Sequence, residues 1–235
     1  MPVHPENNQY NQIAFQTERL ILSIVILGIH LKTNKQMNKK PYSSAIKKTP
    51  FKYVISRKIA KLMLDGLNRE EIFEQCCDHN VIEIESPERR REITGVVYER
   101  LCALDSHLLS TFHFGDVVTS KFLLVYAIAK TDALFFDFLF EVYREALLGE
   151  KQYLSINDFD TFFASKKQTD LIVAKWGTFT LKCLTKGYRN ILVESGLGQR
   201  NRKTIIVQRI MIHPEIEEYL ASIGQSEYLQ AILGR

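Results

Sequence analysis

The chain has 235 residues, of which 46% are hydrophobic, and its 14 Phe and 10 Tyr exclude an intrinsically disordered protein. Only 6 Pro and 11 Gly argue against a turn-rich β protein. The formal net charge is +4, from 31 basic and 27 acidic residues, and the 4 cysteines form no C-x-x-C pair. We therefore predict neither a disulfide framework nor a metal site, and we expect a reducing, cytoplasmic location.

The first 36 residues show little periodic pattern. The apolar run at residues 20–31 is too short for a membrane-spanning helix, which needs about 20 residues. It also lacks the basic flank and the cleavage site of a signal peptide, so no membrane association is expected. The sequence Met37-Asn38-Lys39-Lys40-Pro41 is typical of a bacterial start, and we hypothesise that translation begins at Met37. The intact mass of the native protein tests this.

Charge is strongly segregated along the chain. Residues 32–61 contain ten Lys and Arg and no acid, residues 62–165 contain 9 basic and 19 acidic residues, and residues 166–209 contain 10 basic and 2 acidic residues. Clustered positive charge favours a polyanion as partner, because each neutralised phosphate releases counterions. The alternative interpretation is a solvated surface with a flexible basic arm.

Apolar residues recur at spacings of three and four through most of the chain, which predicts a mainly α, compact multi-helix protein. Helix starts are indicated by Asn68 with Glu71, by Ser86 with Pro87, and by Asp116. At most one small β element is expected, near 204–212, where β-branched residues cluster. The predicted helices cover residues 51–65, 68–79, 86–104, 105–112, 117–130, 134–148, 155–164, 170–194, 214–223 and a last segment from 226.

The first three predicted helices have the order and lengths of a helix-turn-helix-like trihelical unit, and the third has three arginines in its first turn. The helix dipole favours acids at that position, so the arginines indicate an external anion such as DNA phosphate. Pairing with Glu85, Glu88 and Glu92 on a solvated face is the alternative. The candidate nucleic-acid-binding residues of this first region are Lys47, Lys48, Lys52, Arg57, Arg89, Arg90 and Arg91.

A second set of basic residues combines the predicted long helix with the polar loop 198–203. Lys175, Lys182, Lys186 and Arg189 form roughly one stripe on the helix, and a basic helix beside a basic loop can bridge adjacent phosphates. Reversing the charge of the three loop residues is expected to weaken binding to all DNA sequences and to flatten the salt dependence. The candidate residues here are Lys182, Arg189, Arg200, Arg202 and Lys203.

Histidines and carboxylates form no recognisable catalytic or metal-ligand spacing, and no phosphate-binding glycine loop is present. One weak signal for an enzyme remains. Arg100 and His107 have a spacing that resembles the Arg–His pair of helical HEPN ribonucleases. A helix start at Asp105, between the two, would break that geometry.

The order and spacing of many residues resemble the BrxA family of bacteriophage exclusion (BREX) defence systems, over roughly residues 42–233. The amino-terminal half contributes Tyr42-Ser43, Lys47, Ala60-Lys-Leu-Met-Leu-Asp-Gly66, Asn80, Ser86, Ile93 and Arg100-Leu101-x-x-Leu104. The carboxy-terminal half contributes residues 138–148, Ser155-x-x-Asp158-Phe159 and His213-Pro214-Glu215 with Tyr219-Leu220.

The resemblance implies a small, mostly helical cytoplasmic protein, encoded with a methyltransferase, an ATPase and other defence proteins. It also implies a fold similar to bacterial antitermination factors, binding to double-stranded DNA, and no enzyme activity. We therefore predict a non-enzymatic DNA-binding accessory protein that needs no cofactor, metal or small-molecule substrate. A protein-interaction adaptor that assembles other defence subunits is the alternative, favoured if the aromatic helix 134–148 exposes phenylalanines. The predicted organisation is an extension (1–41), a trihelical basic unit (42–114) and a helical bundle with the basic loop (115–235).

Overall fold

Helices make up most of residues 41–235, the part of the chain that this computed structural model describes, which confirms the predicted mainly α class. The apolar run 20–31 and the hypothetical start at Met37 lie outside the described residues. A 3₁₀ turn, Ala45–Lys47, comes first. The helices are α1 Tyr53–Leu64, α2 Arg69–Cys77, α3 Pro87–Leu101, α4 Ser106–Phe114, α5 Val117–Thr131, α6 Ala133–Phe138, α7 Arg144–Leu148, α8 Ile156–Thr169, α9 Leu171–Ala174, α10 Thr178–Ser195, α11 Pro214–Ser222 and α12 Ser226–Leu233.

The helix starts follow from local hydrogen-bonding chemistry, as the sequence predicts. At α2, the Glu71 amide donates to Asn68 Oδ1 at 3.1 Å and the Asn68 amide donates to Glu71 Oε2 at 2.7 Å, a complete capping box. At α3, Ser86 Oγ accepts from the Arg89 amide at 3.3 Å and Pro87 occupies the first helical position. These side chains satisfy amides that would otherwise have no partner in the helix.

The hydrophobic core surrounds α5 and the aromatic segment that follows it. A π-helical turn, Leu139–Tyr143, joins α6 to α7. Phe135 and Phe138 are fully buried, and Phe136 and Phe140 are partly buried against the core. None of these four phenylalanines is exposed, because other helices pack around the whole segment. The condition that would have favoured the adaptor is therefore not met.

The segment at residues 41–51, here called the N-terminal strap, is built into this core. Ile46 is fully buried and packs against α10 at Gly187. A Cβ atom at Gly187 would lie 2.8 Å from Ile46 Cγ2 and 3.0 Å from its carbonyl oxygen, so only glycine permits this approach. Side chains on both sides of residue 114 share one core cluster, and the predicted domain boundary there stays a prediction.

The buried guanidinium of Arg100 binds the carboxy-terminal end of the N-terminal strap. Its Nη1 donates to the Pro50 carbonyl at 2.8 Å and its Nη2 to the Thr49 carbonyl at 2.6 Å. Burial lowers the pKa of Arg100 to about 10, against the effect of nearby Asp132, so the side chain is still charged at neutral pH. The residue therefore has a structural role.

Two local predictions were wrong. The predicted helix 170–194 is interrupted at residues 175–177, because Gly177 has an extended backbone and begins α10 as its N-cap. Lys175 therefore does not belong to the α10 stripe. The predicted loop 198–203 contains strand β2, Gly198–Asn201, which forms a hairpin with β3, Thr204–Val207.

The hairpin belongs to a three-stranded antiparallel sheet in which β3 lies between β2 and the two-residue strand β1, Tyr153–Leu154. Gly198 permits close packing, since a Cβ there would lie 2.3 Å from Ile205 Cγ2. The Tyr143 hydroxyl lies 3.0 Å from the Leu197 carbonyl oxygen and 3.1 Å from that of Gln208, at the base of the hairpin. These contacts fix the hairpin against the helical core.

Candidate nucleic-acid interface

An open groove of about 380 Å³ lies between α10, the start of α8 and the β2–β3 hairpin. Among the described residues, its walls carry five basic side chains and one carboxylate, that of Asp160. We call this feature the basic groove. It is lined by Ile156, Asp160, Lys182, Thr185, Lys186, Arg189, Asn190, Arg200 and Arg202.

Helical periodicity produces one wall of the basic groove. Lys182, Lys186 and Arg189 are spaced by four and three residues, which places them on one face of α10. The opposite face of α10 is apolar, and its Leu184, Ile191 and Leu192 are fully buried. The core therefore orients the helix so that its basic stripe lies on the surface.

Strand register produces the other wall. Arg200 lies directly opposite Ile205 in the β2–β3 ladder, so both side chains lie on the same face of the hairpin. That face is turned toward α10, as the packing at Gly198 against Leu192 shows. Arg200 Nη2 donates to Asn190 Oδ1 on α10 at 3.3 Å, which closes the groove at this point.

The basic side chains of the groove form no ion pair with an acidic group in residues 41–235. Burial, and then the neighbouring Arg200, lower the pKa of Arg189. Two guanidinium groups are thus held close together with little compensating negative charge. An anion placed between them would relieve that repulsion and would be bound most strongly through charge-assisted hydrogen bonds.

Arg202 has an unusual backbone conformation at the tip of the hairpin. Its φ of 50° lies in the left-handed region, where glycine and asparagine are the usual residues. A bulky residue in this conformation costs stability, and backbone strain of this kind is concentrated at functional sites. Lys203 follows it in the turn and is exposed, but it does not line the groove.

The structure thus brings Lys182, Arg189, Arg200 and Arg202 together, and it leaves Lys203 outside. Sequence reasoning did not identify the lining residues Asp160, Thr185 and Asn190. Asn190 could have been found from its spacing, since it follows Lys186 by four residues on the same stripe. Asp160 comes from another helix, and only the tertiary structure brings it to the groove.

In the first basic region, several basic side chains are already bonded to other groups of the protein. Lys48 Nζ lies 3.0 Å from Glu92 Oε1, and Arg89 Nη1 lies 2.9 Å from Glu92 Oε2. Hydrogen bonding to Lys48 and then to Arg89 lowers the pKa of the Glu92 carboxyl against the effect of burial. Arg90 donates to the carbonyl oxygens of Cys77, Ile84 and Glu85, and so holds the end of α2 against the start of α3.

The other candidate binding residues of the first region differ in their surroundings. Arg57 donates to the His113 carbonyl and to the Tyr53 hydroxyl. Lys47 is exposed, and Lys52 precedes α1 with a φ of 56°. Arg91 lines a second cavity, of about 480 Å³, with three acidic residues. The three predicted helices occur in the predicted order, and DNA contact by this region stays a prediction.

The pair that resembled a ribonuclease motif does not form a site. Arg100 is 3% exposed and hydrogen-bonded to the strap, whereas the His107 ring packs against Tyr219 with centroids 4.6 Å apart. Asp105 starts α4 between them, as predicted, with its carboxylate accepting from the Leu108 amide. The nuclease alternative lacks the geometry it requires.

Residues 41–235 contain neither a candidate membrane span nor a candidate metal site. No helix in this range has the length and apolar character needed to cross a bilayer. No cluster of three or more His, Cys, Asp or Glu side chains in the same range is arranged to hold a metal ion.

Comparison with known proteins gives one consistent result. The model of the BrxA family matches residues 40–224. The chain is 30% identical over 193 residues to the BREX protein BrxA of Bacillus cereus (strain H3081.97), which covers 82% of this chain and 96% of that protein. It is 23% identical over 180 residues to the BREX protein BrxA of Escherichia coli O9:H4 (strain HS), which covers 77% of this chain and 84% of that protein.

A solved structure shares the fold. The crystal structure of an uncharacterized protein from Magnetospirillum magneticum superposes with a TM-score of 0.72 and 22% identity, covering 83% of this chain and 99% of that chain. The family match and the two relatives agree with the resemblance seen in the sequence. The chain belongs to the BrxA family of BREX phage-defence systems.

Proposed function

We propose that this BREX component is a non-enzymatic protein that binds double-stranded DNA through phosphate contacts in the basic groove. The observation that carries the proposal is the convergence of five basic side chains that have no acidic partner in residues 41–235. In the first basic region, by contrast, Arg89 and Lys48 are both paired with Glu92. A concentrated cationic surface that is left uncompensated favours a polyanion from outside.

The groove supplies charge and shape rather than base recognition. Lys182 and Lys186 offer compact point charges, while Arg189, Arg200 and Arg202 offer planar donors that suit phosphate oxygens. Binding then gains most of its free energy from the release of counterions and depends little on sequence. The protein would add a DNA-holding function to the defence system, without chemistry of its own.

The proposal is tested by titrating labelled duplex DNA with the full-length chain across a series of salt concentrations, with fluorescence anisotropy as the readout. If the basic groove engages four or five phosphates, the logarithm of the association constant should fall with log salt at a slope of about −4. Two unrelated sequences of equal length should give the same slope. Absence of binding at low salt would contradict the proposal and favour the adaptor.

Arg202 offers a second test, because its two expected effects have opposite signs. Arg202→Gly should raise the free energy of unfolding by about 0.5–1 kcal/mol, since glycine adopts the left-handed conformation without strain. The same change should weaken DNA binding several-fold, because one cation of the groove is removed. Urea denaturation and anisotropy measure the two quantities. Unchanged affinity would mean that Arg202 does not contact the ligand.

A further inference from the structure

An exposed aromatic side chain lies on the same helix face as the basic stripe. Phe179, in the first turn of α10, is 79% exposed. It precedes Lys182 by three residues and Lys186 by seven, so all three lie on one face of the helix. At a rise of about 1.5 Å per residue, Phe179 lies about 10 Å along the axis from Lys186.

The two types of side chain suit the two parts of a nucleotide. Basic residues along a groove bind the phosphate chain, and an aromatic ring beside them offers a surface on which a base can stack. The bases of an intact duplex are stacked inside it and cannot reach a ring on the protein surface. Only an unpaired base, in a single-stranded extension or in an opened part of the duplex, can stack on Phe179.

The basic groove itself is suited to holding one phosphate chain at a time. Its cations lie on two facing walls, with Lys182, Lys186 and Arg189 on α10 and Arg200 on the hairpin. Facing cations can hold one phosphate chain, which is either one strand of a duplex or a single-stranded extension of it. Charge complementarity therefore identifies the occupant of the Phe179 surface as nucleic acid.

We propose that Phe179 stacks on an unpaired base, so that the preferred ligand of the basic groove is duplex DNA with a single-stranded extension. The inference rests on the proposed function, since the same cations hold the strand. The duplex portion provides general phosphate contacts, and the extension continues along α10 from the basic groove to Phe179. The protein would then favour DNA ends, gaps or opened duplexes over continuous duplex.

The test compares a blunt duplex with the same duplex carrying a short single-stranded tail that contains the fluorescent base 2-aminopurine. The full-length protein should bind the tailed DNA about tenfold more tightly, because one stacked base contributes on this order. Binding should also quench the 2-aminopurine fluorescence. Phe179→Ala should abolish both the preference and the quenching without changing the affinity for blunt duplex, and Phe179→Trp should retain both.

Leu171→Ala is the matched control, because Leu171 is apolar, is 83% exposed and precedes the same helix. It should change neither measurement. Equal affinity of wild-type protein for blunt and tailed DNA, with a steep salt slope, would overturn the stacking proposal and leave the proposed function intact. If the wild-type protein binds neither DNA, both the stacking proposal and the proposed function are overturned. Unchanged preference and quenching in Phe179→Ala would overturn the role of Phe179 alone.

Discussion

Reversing the charges of Arg189 and Arg200 together should reduce DNA affinity by a factor on the order of 100 or more. Each guanidinium can form hydrogen bonds to phosphate, which contribute about 1.5–3 kcal/mol when one group is charged. The double change Arg189→Glu and Arg200→Glu removes two such contacts and places two carboxylates in the groove. Both residues line the basic groove, Arg189 from α10 and Arg200 from β2, and Arg200 is near enough to lower the pKa of Arg189.

Anisotropy titration at several salt concentrations measures this effect, and the slope against log salt should decrease by about 2, one for each lost phosphate contact. Lys203→Glu is the matched control. It makes the same change in charge one residue beyond Arg202 but outside the groove lining, and it should alter affinity only slightly. Equal losses for Lys203→Glu and Arg200→Glu would show that net charge, rather than the basic groove, governs binding.

The second large effect concerns stability. Lys166 is 8% exposed, and its Nζ donates to Asp137 Oδ2 at 2.8 Å and to Glu141 Oε1 at 2.6 Å. The hydroxyl of Tyr42, in the N-terminal strap, also donates to Asp137. Lys166→Met should lower the free energy of unfolding by about 3–5 kcal/mol, because it removes a buried cation that contacts both Asp137 and Glu141.

Urea denaturation measures this change, and Lys151→Met provides the contrast. Lys151 forms a pair of similar length with Asp158, 2.7 Å, but the lysine side chain is 47% exposed. Its removal should cost only about 0.2–1 kcal/mol, as is usual for surface pairs. Similar losses in the two variants would show that burial does not distinguish these interactions.

The same cluster should make the fold sensitive to alkaline conditions. Burial opposes the charge on Lys166, but its hydrogen bonds to Asp137 and Glu141 outweigh burial and raise its pKa above the ordinary 10.5. Burial and the bond to Asp137 raise the pKa of Tyr42 above 10.0. In both cases the folded protein holds a proton that the unfolded chain releases, so this stability is present at neutral pH and is lost as pH rises above about 10. Lys166→Met should show a weaker dependence in that range.

The sequence predicts helices best where their ends have side chains with a defined chemical role. Asn68, Ser86, Asp105 and Asp116 mark helix starts that the structure confirms, because capping is a local interaction between residues two or three apart. The break at Gly177 was missed, since the apolar spacing continues across it and nothing in the local pattern requires a new helix. Periodicity alone does not distinguish one long helix from two consecutive ones.

The hairpin and the arginines show why the site was harder to predict. Gln199, Arg200 and Asn201 are polar and have little β preference. They form a strand because they pair with β3, which is anchored in the core by its buried Ile205 and Val207. Arginines 89 and 90 have the composition of a binding site, but their partners are carbonyl groups and a carboxylate that sequence cannot place. Charge patterns predict where cations occur, and only the folded structure shows which are already paired.

The packing of Ile46 against Gly187 has a consequence during protein synthesis. The two residues are separated by about 140 positions in the chain, so at about 5–20 residues per second Ile46 is synthesised roughly 7–28 s before Gly187. During that interval the apolar side chain of Ile46 lacks the glycine against which it packs in the folded protein. Ile46 lies within the basic stretch at residues 32–61, whose positive charges repel other copies of the chain. Charged residues beside an apolar segment reduce aggregation in this way. These lysines and arginines can therefore limit aggregation of the nascent chain until the N-terminal strap packs against α10.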